Sequence, residues 1–293
     1  MDHTAIKTAD DTSNVLKPRP GLGNWLTLSP LFFWLLIFVV VPTVLLVVAS
    51  FCDRDGLGRI VYEFTRENYL RAIQPPYPQI VWRSVYFAVI TTVICLVLGY
   101  PVGYFIGRSS AKLRNILMML VMIPFWTSFL IRTYAWISIL SQEGLLNGFL
   151  LWAKVTSEPL NLLYTPGAVV LGLVYNYLPF MILPIYGSAE KLDNALVEAA
   201  YDLGAGPIRA FSNIIIPLTK PGIIAGIMLV FIPSLGMFAI SGLMGGGSQQ
   251  MIGDVIYKQF SGANNPPFGA ALGTLLLIIF AIGLWFSNRK QTV

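Results

Sequence analysis

Six apolar runs of membrane-spanning length divide this chain, at about 28–51, 84–107, 113–140, 167–188, 221–244 and 268–287. A helix needs about 20 apolar residues to cross the hydrocarbon of a bilayer. Backbone groups in lipid must be satisfied within the segment, so runs of this length read as helices. The pattern predicts an all-α integral membrane protein with six transmembrane helices. Its parts are a cytoplasmic tail at 1–27, a first transmembrane helix at 28–51, an extracytoplasmic loop at 52–83, a core at 84–288 and a second cytoplasmic tail at 289–293. Composition agrees. With 56% hydrophobic and 11% charged residues and a mean hydropathy of +0.70, too much of the surface is apolar for a soluble domain of this length.

The basic residues set the orientation. Lys17 with Arg19, the cluster Arg108, Lys112 and Arg114, and Arg289 with Lys290 all fall on one side of a six-span arrangement, while the short opposite loops carry little beyond Lys154 and Lys258. Cytoplasmic loops are enriched in Lys and Arg, so both termini are expected in the cytoplasm of a prokaryotic cell, inside its inner membrane. Trp25, Trp82, Trp136, Trp152 and Trp285 lie near the expected interfaces, where aromatic side chains contact membrane lipid. The net charge of +5 is spread over span ends and makes no nucleic-acid patch. Cys52 and Cys95 fall at different expected depths and read as packing residues, and the single His3 builds no metal site. The loop at 52–83 mixes acids with arginines and prolines, and reads as solvated surface with a short helix and turn near Asn68-Tyr69. Pro42 is expected to kink or thin the first run.

The most informative polar segment lies between the fourth and fifth runs, at about 190–220. Asp193 can cap a short helix with Leu196, Ala199, Ala200 and Leu203 on one stripe, and Gly204 ends it. Gly206-Pro207 starts a second, with Ile208, Phe211 and Ile215 as its stripe and Pro217 as its close. Two amphipathic stubs outside the bilayer suit a helix-in-groove contact with a partner.

This segment resembles the cytoplasmic coupling loop of ABC importer permeases: Glu198-Ala-Ala, three residues, Gly204, nine residues, then Ile214-Ile-Ile-Pro217, with Ile216 standing where that pattern has leucine. Two further stretches, Pro124-Phe-Trp-Thr-Ser-Phe-Leu-Ile-Arg132 and Gly172-Leu-Val-Tyr-Asn-Tyr-Leu-Pro-Phe-Met-Ile-Leu-Pro184, together with Glu190-Lys-Leu-Asp193, are similar to the first permease subunit of spermidine/putrescine importers. The resemblance implies a type I ABC importer permease fold with cytoplasmic coupling helices. It implies a second homologous permease subunit, two copies of an ABC ATPase and an extracytoplasmic solute-binding protein. Glu198, Ala199, Ala200 and Gly204 match the positions that dock into the ATPase, and the docking stretch takes in Asp202, Ala205 and Pro207.

Chemistry within the chain itself is sparse. No Gly-x-x-x-x-Gly-Lys-Ser/Thr stretch occurs, and Gly245-Gly-Gly247 lacks the lysine of a phosphate cradle. Any ATP and Mg2+ therefore belong to a partner ATPase; this chain is expected to bind no cofactor or metal and to be no enzyme. One charge interrupts the spans: Arg132, whose burial at mid-span would cost about 2.5 to 3.5 kcal/mol without a partner. Its role divides between anchoring the outer end of its helix and touching substrate. A cationic solute needs acids or aromatic faces along its path. The fifth run holds no Asp or Glu, which leaves Trp126, Tyr134, Tyr175, Tyr177, Phe231 and Phe238 as pathway candidates beside Arg132. An importer of another small organic solute, or an ion-driven secondary transporter, are the competing readings; the second offers no reason for the 190–220 loop.

Overall fold

The computed structural model describes residues 22–56 and 58–289, with side chains over 29–56 and 58–281. His3, Lys17, Arg19 and Lys290, and the side chains of Trp25, Trp285 and Arg289, lie outside what is described.

The chain is built almost wholly of helices. The first run forms α1 (Leu22–Leu35) and α2 (Val41–Ser50), joined by a π turn at Leu36–Val40. That turn meets the proline. The Val41 N–H reaches back five residues to the Leu36 carbonyl, and Pro42, which has no N–H to give, follows at once. Beyond it come a two-stranded antiparallel ribbon, β1 (Asp53–Arg54) with β2 (Ile60–Val61), and the short helix α3 (Glu67–Ala72). This loop is more than solvated surface. Asn68 donates its side-chain amide to the Ser50 and Cys52 carbonyls at 3.2 and 2.9 Å, and the Tyr69 hydroxyl meets Ser50 Oγ at 2.6 Å. Arg71 lies 4.4 Å over the ring of Phe268, tying the loop to the last helix.

The second run forms α4 (Tyr77–Arg108), which begins seven residues ahead of the apolar stretch. The third run departs from a single span. It is α5 (Ala111–Met122), a 3-10 turn at Ile123–Trp126 and α6 (Phe129–Leu140), and its two arms meet at 88°. Pro124 removes an N–H, Thr127 turns its hydroxyl onto the Pro124 carbonyl at 2.8 Å, and Ser128 is extended, so the helix cannot run through. Next come α7 (Leu145–Trp152) and α8 (Pro166–Glu190).

The polar segment at about 190–220 begins with α9 (Asn194–Asp202) and α10 (Pro207–Ala210). Pro217 does not close the second stub. A π turn at Phe211–Ile215 precedes it, with the Ile216 N–H on the Phe211 carbonyl, and α11 (Ile216–Gly236) continues the same helix from Pro207 to Gly236. Pro42 and Pro217 are thus absorbed by the same device. The fifth run breaks instead at Met237, whose backbone is extended, before α12 (Ala239–Met244). The stretch read as outer loop around Lys258 contains a helix, α13 (Ile252–Ser261), and α14 (Pro266–Arg289) ends the fold.

Four of these segments are long and apolar enough to cross a membrane: Ser29–Ser50, Tyr77–Arg108, Pro166–Glu190 and Pro207–Gly236. The bent pair Ala111–Trp126 and Phe129–Trp152 makes a fifth if it counts as one span, and Pro266–Ala281 is a shorter apolar helix among the described residues. The core is α8 between α4 and α11. Gly99, Gly103 and Gly107 form one stripe of α4 at four-residue spacing, against Met181, Ile185 and Ala189 of α8. Gly222 and Gly226 bring α11 against Pro184, Ser188 and Met181 on the same helix. Cys52 and Cys95 are both free and buried.

Candidate functional site

The corner between α9 and α10 is built by ordinary capping chemistry. Asp193 accepts the Ala195 N–H at 3.0 Å and starts α9. At the other end Gly204 takes φ +80°, its N–H reaches the Tyr201 carbonyl at 2.9 Å, and the Ala205 N–H reaches the Ala200 carbonyl at 2.9 Å. That pair of bonds is a Schellman cap, which wants a residue free to enter the left-handed region. Gly206 is extended and Pro207 begins α10.

The corner leaves its apolar residues uncovered. Of the expected stripe Leu196, Ala199, Ala200 and Leu203, only Ala200 is buried; Leu203 is 89% exposed, and Ile208 beyond the corner is 83% exposed. Glu198, Ala199, Asp202, Gly204 and Pro207 are exposed too, with Ala205 half-buried. Two bare aliphatic side chains on one tight corner are what a hydrophobic groove would take.

The base of the corner is fastened to the spans. Arg114 forms an ion pair with Glu190 at 2.7 Å, and Arg108 donates to the Leu192 carbonyl at 2.7 Å. Two residues of the basic cluster at 108–114 therefore hold α4 and α5 to the start of the loop. On the far side the edge of Phe211 packs on Tyr100 at 5.7 Å, and the Tyr100 hydroxyl meets Thr219 Oγ1 at 3.0 Å. Between these fastenings a cleft of about 640 Å3 opens, lined by Ser188, Glu190, Asp193, Pro221 and Gly222 among others.

Arg132 and several aromatic candidates meet at the broken third run. The guanidinium of Arg132 on α6 lies 5.4 Å from the ring of Phe125 and 5.9 Å from that of Tyr175 on α8. Trp136 meets Tyr175 edge-on at 5.6 Å. Arg132 thus bridges both arms of the bend to the core, while its Nε and Nη1 are buried with no hydrogen-bond partner among the described residues. A plane over two rings contributes about 0.5 to 2 kcal/mol per contact, which a lysine cannot reproduce. Arg132→Lys is expected to lower the melting temperature of the purified complex by several degrees at unchanged substrate half-saturation. A selective loss of transport at normal melting temperature would place Arg132 on the solute path instead.

The other candidates scatter. Trp126 and Tyr134 are 76% and 56% exposed and lie apart from this cluster, and Tyr177 is buried in the core against Phe180. Phe231 is half-buried on α11. Phe238 sits at the break after α11 and stacks on Tyr257 of α13, centroids 4.6 Å apart.

Sequence reading missed one acid. Asp254 on α13 is 4% exposed, and its Oδ2 accepts from Ser241 Oγ at 2.5 Å and from the Met251 N–H at 2.9 Å. Burial pushes this carboxyl above the usual carboxylate range, while those two donors and the charge of Lys258 pull it down. It stood in what looked like a loop, so nothing in the pattern marked it as buried.

Residues 99–289 match the family described as binding-protein-dependent transport system inner membrane component. The chain is 45% identical over 259 residues to the spermidine/putrescine transport system permease protein PotB of Escherichia coli, covering 87% of this chain and 94% of that protein. It is 43% identical over 266 residues to the protein of the same name from Haemophilus influenzae, covering 91% and 93%. Its fold is similar to that of a chain in the crystal structure of a bacterial alginate ABC transporter in complex with an alginate pentasaccharide-bound periplasmic protein, with a TM-score of 0.71 at 17% identity over 90% and 92% of the two chains.

Proposed function

We propose, from the fact that this chain belongs to the family of binding-protein-dependent transport system inner membrane components, that it is the permease subunit of an ATP-driven importer of polyamines such as spermidine and putrescine. Its fold is that of the type I ABC importer permeases. In this reading the partners are two ABC ATPase copies, a second homologous permease and an extracytoplasmic binding protein. ATP and Mg2+ sit in the ATPases, and this chain does no chemistry of its own. Both termini and the corner at Gly204 face the cytoplasm.

The observation that carries the importer reading is the capped corner with Leu203 and Ile208 bare at its tip. A pull on Ile208 reaches α11 directly, because α10 continues through the π turn into the same helix. The glycine contacts of α11 with α8, and of α8 with α4, then pass the displacement across the core. Closure of the ATPases would tilt these helices as a unit and alternate the side on which the path opens. The polyamine assignment rests on the named relatives.

The test is uptake of labelled putrescine and spermidine by cells that lack other polyamine uptake and express the chain with its cognate partners. ATP-dependent accumulation is expected, and in the same cells Lys154→Cys should react with an impermeant maleimide added outside. Uptake of a different solute class with no polyamine accumulation would overturn the substrate. Labelling of Lys154→Cys only after permeabilisation would overturn the orientation.

A further inference from the structure

Asp254 caps α13 with one oxygen and leaves the other uncommitted. Oδ2 holds both hydrogen bonds, and Oδ1 accepts none from the described residues. Lys258, a turn further on, is exposed and makes no ion pair with it among the described residues. A helix cap needs a single acceptor, which asparagine, serine or threonine supplies without burying a charge. The second oxygen of a 4% exposed carboxylate is therefore unexplained by capping.

What lies over that oxygen is bare backbone. A β-carbon on Gly242 would stand 3.0 Å from Oδ1, and Gly242 itself is exposed, so the missing side chain opens a window onto the acid. By helical spacing, aromatic residues share the faces of Gly242 and Asp254. Phe238 is one helical turn before Gly242, whose N–H bonds its carbonyl at 2.9 Å, and Tyr257 is three residues after Asp254. The two rings stack with planes 10° apart and stay 41% and 51% exposed. A carboxylate oxygen beside aromatic faces, open on one side, is the environment that draws an alkylammonium group out of water. A window of this kind turned to hydrocarbon would leave the acid with no favourable neighbour, so it belongs on a wet or partner-facing surface.

We propose that Asp254, Phe238 and Tyr257, opened by Gly242, form a binding subsite for an alkylammonium group of the transported solute, at the break after α11. The proposal rests on the polyamine-importer reading, and it supplies the acid that α11 itself lacks. Ser241 and the Met251 N–H hold the carboxylate in place; the aromatic pair takes the methylene chain beside the charge.

The test uses the assembled importer with its ATPases, second permease and binding protein in proteoliposomes, comparing wild type, Asp254→Asn and Gly242→Ala. Asparagine keeps an oxygen for both cap donors, and alanine closes the window while keeping the carboxyl group, which must give by a few tenths of an ångström. Asp254→Asn is expected to raise the half-saturating putrescine concentration for uptake by about tenfold or more, the scale of one lost bond to a charged group. Gly242→Ala should shift it in the same direction, both variants being read on assembled complexes. Wild-type half-saturation in Asp254→Asn overturns the subsite. If that variant fails to assemble, Gly242→Ala decides: normal half-saturation there overturns the subsite as well. A wild-type complex that moves no amine would sink the importer reading from which the proposal starts, and would be told apart by that.

Discussion

Gly204→Val is expected to leave the chain inserted in the membrane while abolishing retention of its ATPase and solute uptake. At φ +80° a β-branched residue is strained by about 1 to 3 kcal/mol. Beyond its chain neighbours, no described heavy atom lies within 4 Å of where a β-carbon would stand, so the penalty is in the backbone and not in a clash. The chain escapes it by giving up the two cap bonds from Gly204 and Ala205, which changes the angle between α9 and α10. Leu203 and Ile208 then no longer stand on one corner. The spans are untouched, because the fastenings at Arg108, Arg114 and Tyr100 lie below the corner. Glu198→Lys should act in the same direction but less severely, since it reverses an exposed charge on α9 without moving the backbone. Co-purification of the ATPase with each variant, with uptake measured in the same cells, decides it. Normal retention and normal uptake in Gly204→Val would mean that this corner is not where the ATPase binds.

The helices, the capped corner and its glycine were legible because each depends on nearby residues. Apolar runs must become helices in lipid, and Asp193, Gly204 and Pro207 mark local backbone states whatever surrounds them. The misreadings fall where distant contacts decide. Pro217 looked like an end, yet a π turn, whose closing N–H reaches back five residues, lets the helix pass it, as at Pro42. The run at 113–140 looked like one continuous span, yet Pro124 with Thr127 and Ser128 makes an 88° bend. Thr127 and Ser128 mark the bend locally, and Arg132, packed on Phe125 and Tyr175, ties its two arms to the core. Asp254 was invisible for a related reason. Ten residues with two charges between glycine-rich stretches read as loop, and burial of the acid rests on the Met251 N–H together with Ser241, brought from α12.

Gly103→Val is expected to prevent recovery of a folded permease, whereas Gly187→Val should be recovered in near-normal amounts. Both glycines sit inside membrane-length helices, and intrinsic helix propensity treats them alike. Their surroundings differ. A β-carbon at Gly103 would lie 2.9 Å from the Ile182 carbonyl oxygen and 3.0 Å from Ile185 Cγ2, whereas one at Gly187 meets nothing within 4 Å. The obstacle at Gly103 is partly backbone, so no side-chain rotation clears it; α4 must move off α8. Apolar helices gain nothing from leaving water once inside lipid, so close packing is what holds this pair together. Overpacking costs about 1 to 3 kcal/mol where side chains can adjust, and more where backbone must shift. Gly99 and Gly107 one turn to either side face Met181 and Ala189 just as closely, at 3.0 and 2.7 Å, so the strain cannot be passed along the stripe. Yield and melting temperature of the detergent-extracted protein measure the effect. Equal recovery of the two valine variants would show that the α4–α8 contact is not what sets the stability of this fold.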